Sequence, residues 1–186
     1  MMSTANEPTS GHSGIFIERA ALEDADVVLD ILAEAARWLL ARGIQQWVPE
    51  QFKREPLLAR IMAGEVYLVW RNNAALATLT LQWADPHIWG EQAADAGYVH
   101  ALAIRRAAGG QGVGRALLAW AERQVADAGK THLRLDCMAE NTALRAYYEQ
   151  AGFTHVRDVF GKTWGASLYE KALLEDGQGR WQGRER

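Results

Sequence analysis

The stretch AAGGQGVGRALLAWAERQ, residues 107–124, puts four glycines within the six positions 109–114, directly ahead of an apolar, helix-forming run. Each glycine costs backbone entropy on folding, so the cluster marks a place where something must come close to the backbone. Val113, Leu117, Trp120 with Ala121, and Val125 recur at helical spacing and give the run one buried stripe, which Gly129 closes. A glycine loop that feeds a helix N-terminus aims backbone N–H groups and the positive end of the helix dipole at one point, which suits an anion.

Reading outward, GIFIERA (14–20) alternates Ile15 and Ile17 against Phe16 and Glu18, as a strand does. Val28, Ile31, Leu32, Ala35 and Leu39 form one face of an amphipathic helix over 23–43 that ends at Gly43. Pro56 opens and Gly64 closes a short helix over 55–64. Strands over 65–71 and 74–83 are joined by Asn72-Asn73, a pair that tolerates the positive φ of a tight hairpin turn. After a polar loop comes a strand over 98–104, then the glycine loop and its helix to Ala128. A strand over 131–138, a helix over 141–152 with Asn141 as N-cap, and two final strands complete the pattern. The order β-α-α-β-β-β-α-β-α-β-β mixes hairpins with helical crossovers. It predicts an α+β fold: a mixed sheet of six or seven strands with helices on both faces. One domain spans 15–174, between a disordered tail at 1–14 and a polar tail at 175–186.

Composition narrows the function. The 186 residues suffice for one domain with a substantial core. A net charge of −3 argues against dominant attraction to nucleic acid or an anionic membrane. No apolar run approaches the ~20 residues of a membrane span, and the N-terminus has no signal-like core, so a cytoplasmic protein is expected. Cys137 is the single cysteine, read as a buried strand residue, and His12, His132 and His155 are scattered, so no metal site is expected.

Three phosphate-binding patterns compete for the glycine loop, beside a plain turn. Gly109 to Ala116 has the glycine spacing of a P-loop, but Arg115 stands for the lysine and Ala116 for the Mg²⁺-binding hydroxyl. Gly112 and Gly114 begin a dinucleotide fingerprint, with Asp136 near the place of a ribose-binding acid. Leu117 breaks its third position, and the loop does not follow its strand tightly in a parallel βαβ unit. The third pattern is a family resemblance. GGQGVG at 109–114 resembles the Arg/Gln-x-x-G-x-G/A signature of the GCN5-related N-acetyltransferases, with Gly109 where Arg or Gln is usual. The neighbours VHALAIRR, LRLDCMAEN and ALRAYYEQAGF resemble that family's fourth strand, fifth strand and next helix, through Asn141, Leu144, Tyr148, Glu149, Gly152 and Phe153. The resemblance follows the element order over most of 15–172 and is strong over 98–160.

The resemblance implies an N-acetyltransferase that uses acetyl-CoA as co-substrate, without a metal, and transfers the acetyl group directly to a primary amine in a ternary complex. Backbone groups of Leu102, Ala103 and Ile104 would hold the pantetheine arm, one N–H polarising the carbonyl. Gly110, Gln111, Gly112, Val113, Gly114 and Arg115 would hold the pyrophosphate. Asn141 would cap its helix, contact the cofactor, or both. Tyr148, two helical turns on, would protonate the leaving thiolate. His100, on the same side of its strand as Tyr98, is the candidate base, and a packed strand histidine is the competing reading. Asp85 and His87 would relay a proton or simply form a turn. Trp38, Trp47, Trp83 and Trp89, with Asp85, would line an acceptor slot for a small-molecule amine or a peptide, or else belong to the core. A homodimer is the family expectation. A non-catalytic acyl-CoA-binding module and a dinucleotide-binding oxidoreductase are the alternatives.

Overall fold

The computed structural model describes residues 14–173. The tails expected over 1–14 and 175–186 lie outside the described residues, apart from Gly14. Seven strands form one mixed sheet in the order β1-β2-β3-β4-β5-β7-β6. They are β1 (Phe16–Arg19), β2 (Val66–Arg71), β3 (Ala74–Gln82), β4 (Ala96–Ile104), β5 (His132–Met138), β6 (Thr154–Phe160) and β7 (Gly165–Ala172). The helices are α1 (Ala25–Leu40), α2 (Arg54–Met62), α3 (Pro86–Trp89), α4 (Val113–Asp127) and α5 (Thr142–Gln150). The expected α+β architecture is therefore present, with a sheet of seven strands and one helix, α3, that periodicity did not reveal. Four residues are too few to show a period. Its signals are local: Pro86 at the first position and the Asp85 carboxylate accepting from Ile88 N at 3.2 Å.

Side-chain alternation sorts the two faces. Leu68, Val66 and Ala103 pack with Val28, Ile31, Leu32, Leu57 and Ile61 beneath α1 and α2. Val69, Leu79, Val99, Leu133 and Leu135 pack with Leu117, Leu118, Ala121 and Val125 of α4 and with Tyr148 of α5. The α4 helix lies close to the sheet because Gly97 has no Cβ: one built there would sit 2.3 Å from Val125 Cγ2. The β2–β3 turn takes the backbone its sequence asks for, with φ of 51° at Asn72 and 61° at Asn73. Among the described residues no helix is long and apolar enough to cross a membrane.

Two features of β4 create the site. Thr78 pairs with Ala103 and Thr80 with His100, so β4 carries one residue more than β3 between those points, and Ala101 takes a φ of 49°. This β-bulge shifts the alternation, so that Leu102 and Ile104 join the α4 face with Val99, and Ala101 and Ala103 the α1 face. The parallel pairing of β4 with β5 runs only from Ala96↔His132 to Val99↔Leu135. Beyond that point the strands part, and the gap is left with unpaired backbone on both sides.

Candidate active site

His100 and Asp136 are the first residues past the last β4–β5 pair, so they face each other at the fork of the gap. His100 Nδ1 lies 3.8 Å from Asp136 Oδ1. Asp85, carried in by the turn after β3, stands on the other side of the ring, with Oδ2 at 3.6 Å from His100 Nε2. Asp85 Oδ2 and His100 Nε2 are buried without a hydrogen-bond partner. Burial drives the His100 imidazole below its ordinary value, against the opposing pull of Asp85. Burial, reinforced by Asp85, pushes the Asp136 carboxyl up to about 6. The donor atoms of the three side chains lie within 4.8 Å of one another, a constellation that suits a cation, either a metal ion or an ammonium. Sequence reading singled out His100 and Asp85 but gave Asp136 no part in this group. The alternation of β5 was the available signal, since Leu133, Leu135 and Cys137 claim one face and leave Asp136 on the other.

The glycine loop lies at the other end of the gap. Gly110 and Gly112 take φ of 75° and 77°, and a Cβ at either would meet nothing within 4 Å. Their demand for glycine is thus conformational. At Gly114 the demand is for space, because a Cβ would lie 2.7 Å from the Tyr147 hydroxyl. The ladder of α4 begins with Ala116 N donating to Gly112 O at 3.0 Å, which leaves the amides before it free to donate outward. Gln111 braces the loop from outside: its Nε2 donates to Ala107 O at 2.8 Å and its Oε1 accepts from Arg71 at 2.7 Å. Gly109 is explained as well. A Cβ there would lie 3.0 Å from Arg106 Nη2, so the Arg106 guanidinium fills the space that a side chain at 109 would enter. These groups fit a pyrophosphate: open amides, a helix N-terminus and the nearby Arg106 and Arg115.

A cleft of about 1290 Å³ joins loop and fork. Leu102, Ala103, Ile104, Asn141, Tyr147 and Tyr148 line it, as do Trp38, Trp47 and the hairpin between β6 and β7. Asn141 Oδ1 accepts from Leu144 N at 3.1 Å, and its Nδ2 donates to Gln46 Oε1 at 3.1 Å, so it both caps α5 and ties it to the loop after α1. Tyr148 is only 6% exposed, held against Tyr147, Phe153 and Tyr169, and burial raises its hydroxyl well above the usual range. Cys137 also lines the cleft, and burial, with Asp136 adding to it, pushes its thiol up to about 12.

The four-tryptophan slot is not assembled. Trp38 and Trp47 reach the cleft, Trp38 with the Arg42 and Arg106 guanidinium groups 4.0 and 3.9 Å from its ring centre. Trp83 lies outside it, 44% exposed beside Lys130. Trp89 is a core residue, edge-on to Tyr98, because α3 turns the chain back beneath the sheet. Tyr98 shares that core, and its hydroxyl accepts from Arg134 at 2.9 Å, so it leaves His100 alone at the fork. His87 is exposed on α3 and does not line the cleft.

Residues 30–153 match the Acetyltransferase (GNAT) family. The chain belongs to that family. An uncharacterized N-acetyltransferase of Bacillus subtilis, YesJ, is 31% identical over 171 residues, covering 88% of this chain and 93% of that protein. A GNAT-family acetyltransferase structure from Listeria monocytogenes superposes with a TM-score of 0.73 at 28% identity, over 90% of this chain and all (100%) of that one. The fold is shared with PaiA N-acetyltransferase of Thermoplasma acidophilum, solved with coenzyme A (TM-score 0.69, 19% identity, 86% and 99% covered). It is also shared with YncA of Salmonella typhimurium, a putative acetyltransferase solved with acetyl-CoA (TM-score 0.66, 17% identity, 91% and 100% covered). The GNAT chain described here is thus an acyltransferase, and its cleft lies where β4 and β5 part.

Proposed function

We propose that this acetyltransferase moves an acetyl group from acetyl-CoA to a primary amine of a small molecule by direct transfer within a ternary complex. The observation that carries this reading is the β4–β5 gap, with the glycine loop at one end and His100, Asp136 and Tyr148 at the other. The pairing of β4 with β5 ends at Val99↔Leu135, and an extended pantetheine arm can take hydrogen bonds from the freed backbone of Leu102, Ala103 and Ile104. The loop amides at Gly110–Arg115 receive the pyrophosphate.

Acetyl transfer poses three demands. The amine, with a pKa near ~10, must lose a proton; the carbonyl oxygen must carry negative charge; the leaving thiolate must gain a proton. His100, kept neutral by burial, meets the first from the α1 face. A backbone N–H of the bulged β4 segment meets the second. Tyr148 meets the third from the α5 face: its raised pKa keeps the hydroxyl protonated until a thiolate forms beside it. Acid and base thus stand on opposite faces of the sheet, which suits attack from one side and departure to the other. A covalent route through Cys137 is disfavoured, because a thiol at about 12 supplies little thiolate near neutrality.

Thiol release with acetyl-CoA and a panel of amines, amino acids, polyamines and peptide N-termini tests the reading. Tyr148→Phe should lower turnover at least ~10-fold with acetyl-CoA binding nearly unchanged. Full activity in that variant refutes its role, and absence of thiol release across the panel with no stabilisation by acetyl-CoA refutes the function.

A further inference from the structure

We propose that Asp85, His100 and Asp136 form one ammonium-binding and deprotonating site, so that the acceptor enters as a primary ammonium on an apolar body. This deepens the acetyltransferase reading and rests on it. The Asp85 side chain is only 9% exposed. Its Oδ1 is used by Ile88 N, while Oδ2 is buried, unpartnered and aimed at His100. The Nε2 of His100 is equally unpartnered. The separations of 3.6 and 3.8 Å from the imidazole to the two carboxylates are longer than hydrogen bonds, so the groups do not satisfy one another. Buried polar atoms without partners are costly, and an ammonium brings three donors to such a place.

Charge agrees with shape. With both aspartates ionised and the imidazole neutral, the fork carries two negative charges. The other charged groups that act on His100 are Arg60 of α2, which opposes its protonation, and Glu65 ahead of β2, which favours it. The ammonium yields one proton to His100, and the resulting imidazolium stays between the same two carboxylates, so the positive charge never leaves their field. The freed lone pair forms the C–N bond to the thioester carbonyl as the C–S bond breaks. Sulfur takes the Tyr148 proton, the surplus proton on nitrogen restores the tyrosine through water in the cleft, and His100 releases its own. One proton leaves per turnover. Trp47, edge-on to Phe52 at 5.7 Å, and the exposed rings of Phe160 and Trp164 line the same cleft. That aromatic lining calls for an apolar body beyond the amine.

The test uses the full chain with ¹⁵N-labelled histidine, saturated with coenzyme A at pH 7.5. Benzylamine hydrochloride is the probe and benzyl alcohol its neutral counterpart. Benzylammonium should shift the His100 ring signals and benzyl alcohol should not. Asp85→Asn and Asp136→Asn, which keep shape and remove charge, should each weaken the response ~10-fold or more. The proposal is overturned by no shift at a hundredfold excess of probe, by an equal response to benzyl alcohol, or by undiminished binding in both variants. Stabilisation by acetyl-CoA, measured by thermal melting on the same preparations, reads the loop and not the fork. It therefore tells failure of this site from failure of the acetyltransferase reading.

Discussion

Asp136 pays for its place at the fork in stability. Its carboxyl is raised from 3.8 to about 6, so the folded chain binds that proton more tightly than the unfolded chain does. The contribution of this group to stability is fully present below about 4 and is lost as pH rises through about 6. Asp136→Asn should therefore raise unfolding free energy by ~1–3 kcal/mol at pH 7.5, with the gain vanishing near pH 4. Urea unfolding at the two pH values checks this. A variant that loses stability at pH 7.5 contradicts the assignment of the shift to burial of a charge. The same residue bears on catalysis. The acid limb of kcat/KM should fall near pH 6, where Asp136 takes up a proton, and should move in Asp136→Asn.

At the scale of elements, two glycines carry separate demands. Gly97 is a contact point between β4 and α4, and its missing Cβ sets how closely the helix lies on the sheet. Gly97→Ala should destabilise the fold by ~1–3 kcal/mol through overpacking against Val125, read as a lower denaturation midpoint. Gly112 instead takes a φ of 77° in open space, so Gly112→Ala should cost ~1–2 kcal/mol in backbone strain and weaken acetyl-CoA binding. A melt and a binding titration on both variants separate packing from loop conformation. These elements were legible because α1, α4 and the strands carry long, regular apolar periods. The helix α3 was not, and with it went Trp89, which a polar loop would have left at the surface and a buried turn placed in the core. Tyr148 and the loop glycines stood out through a motif. Asp136 did not, because one carboxylate on a strand becomes part of a site only when its neighbour strand leaves.

Across the whole molecule, loop, gap and fork line one continuous cleft. A ligand that binds only the folded chain stabilises it by mass action, so acetyl-CoA at about 100 times its Kd should add ~2.7 kcal/mol, seen as a higher Tm. ATP and NADH should give no such shift, since Ala116 offers no hydroxyl for Mg²⁺ and the glycine loop opens onto a gap between parting strands.

Sequence alone determined the order of every strand and helix but α3, the hairpin at Asn72-Asn73, the glycine loop ahead of α4 and the cap at Asn141. All of these follow from short-range rules of periodicity, turn conformation and helix ends. Tertiary structure decided what those rules do not reach: the extra residue in β4, the end of its pairing at Val99, and the meeting of Asp85, His100 and Asp136 from three separate segments. Strand pairing and burial are properties of neighbours in space, so a carboxylate's partner, its charge and its use are set only when the sheet has formed.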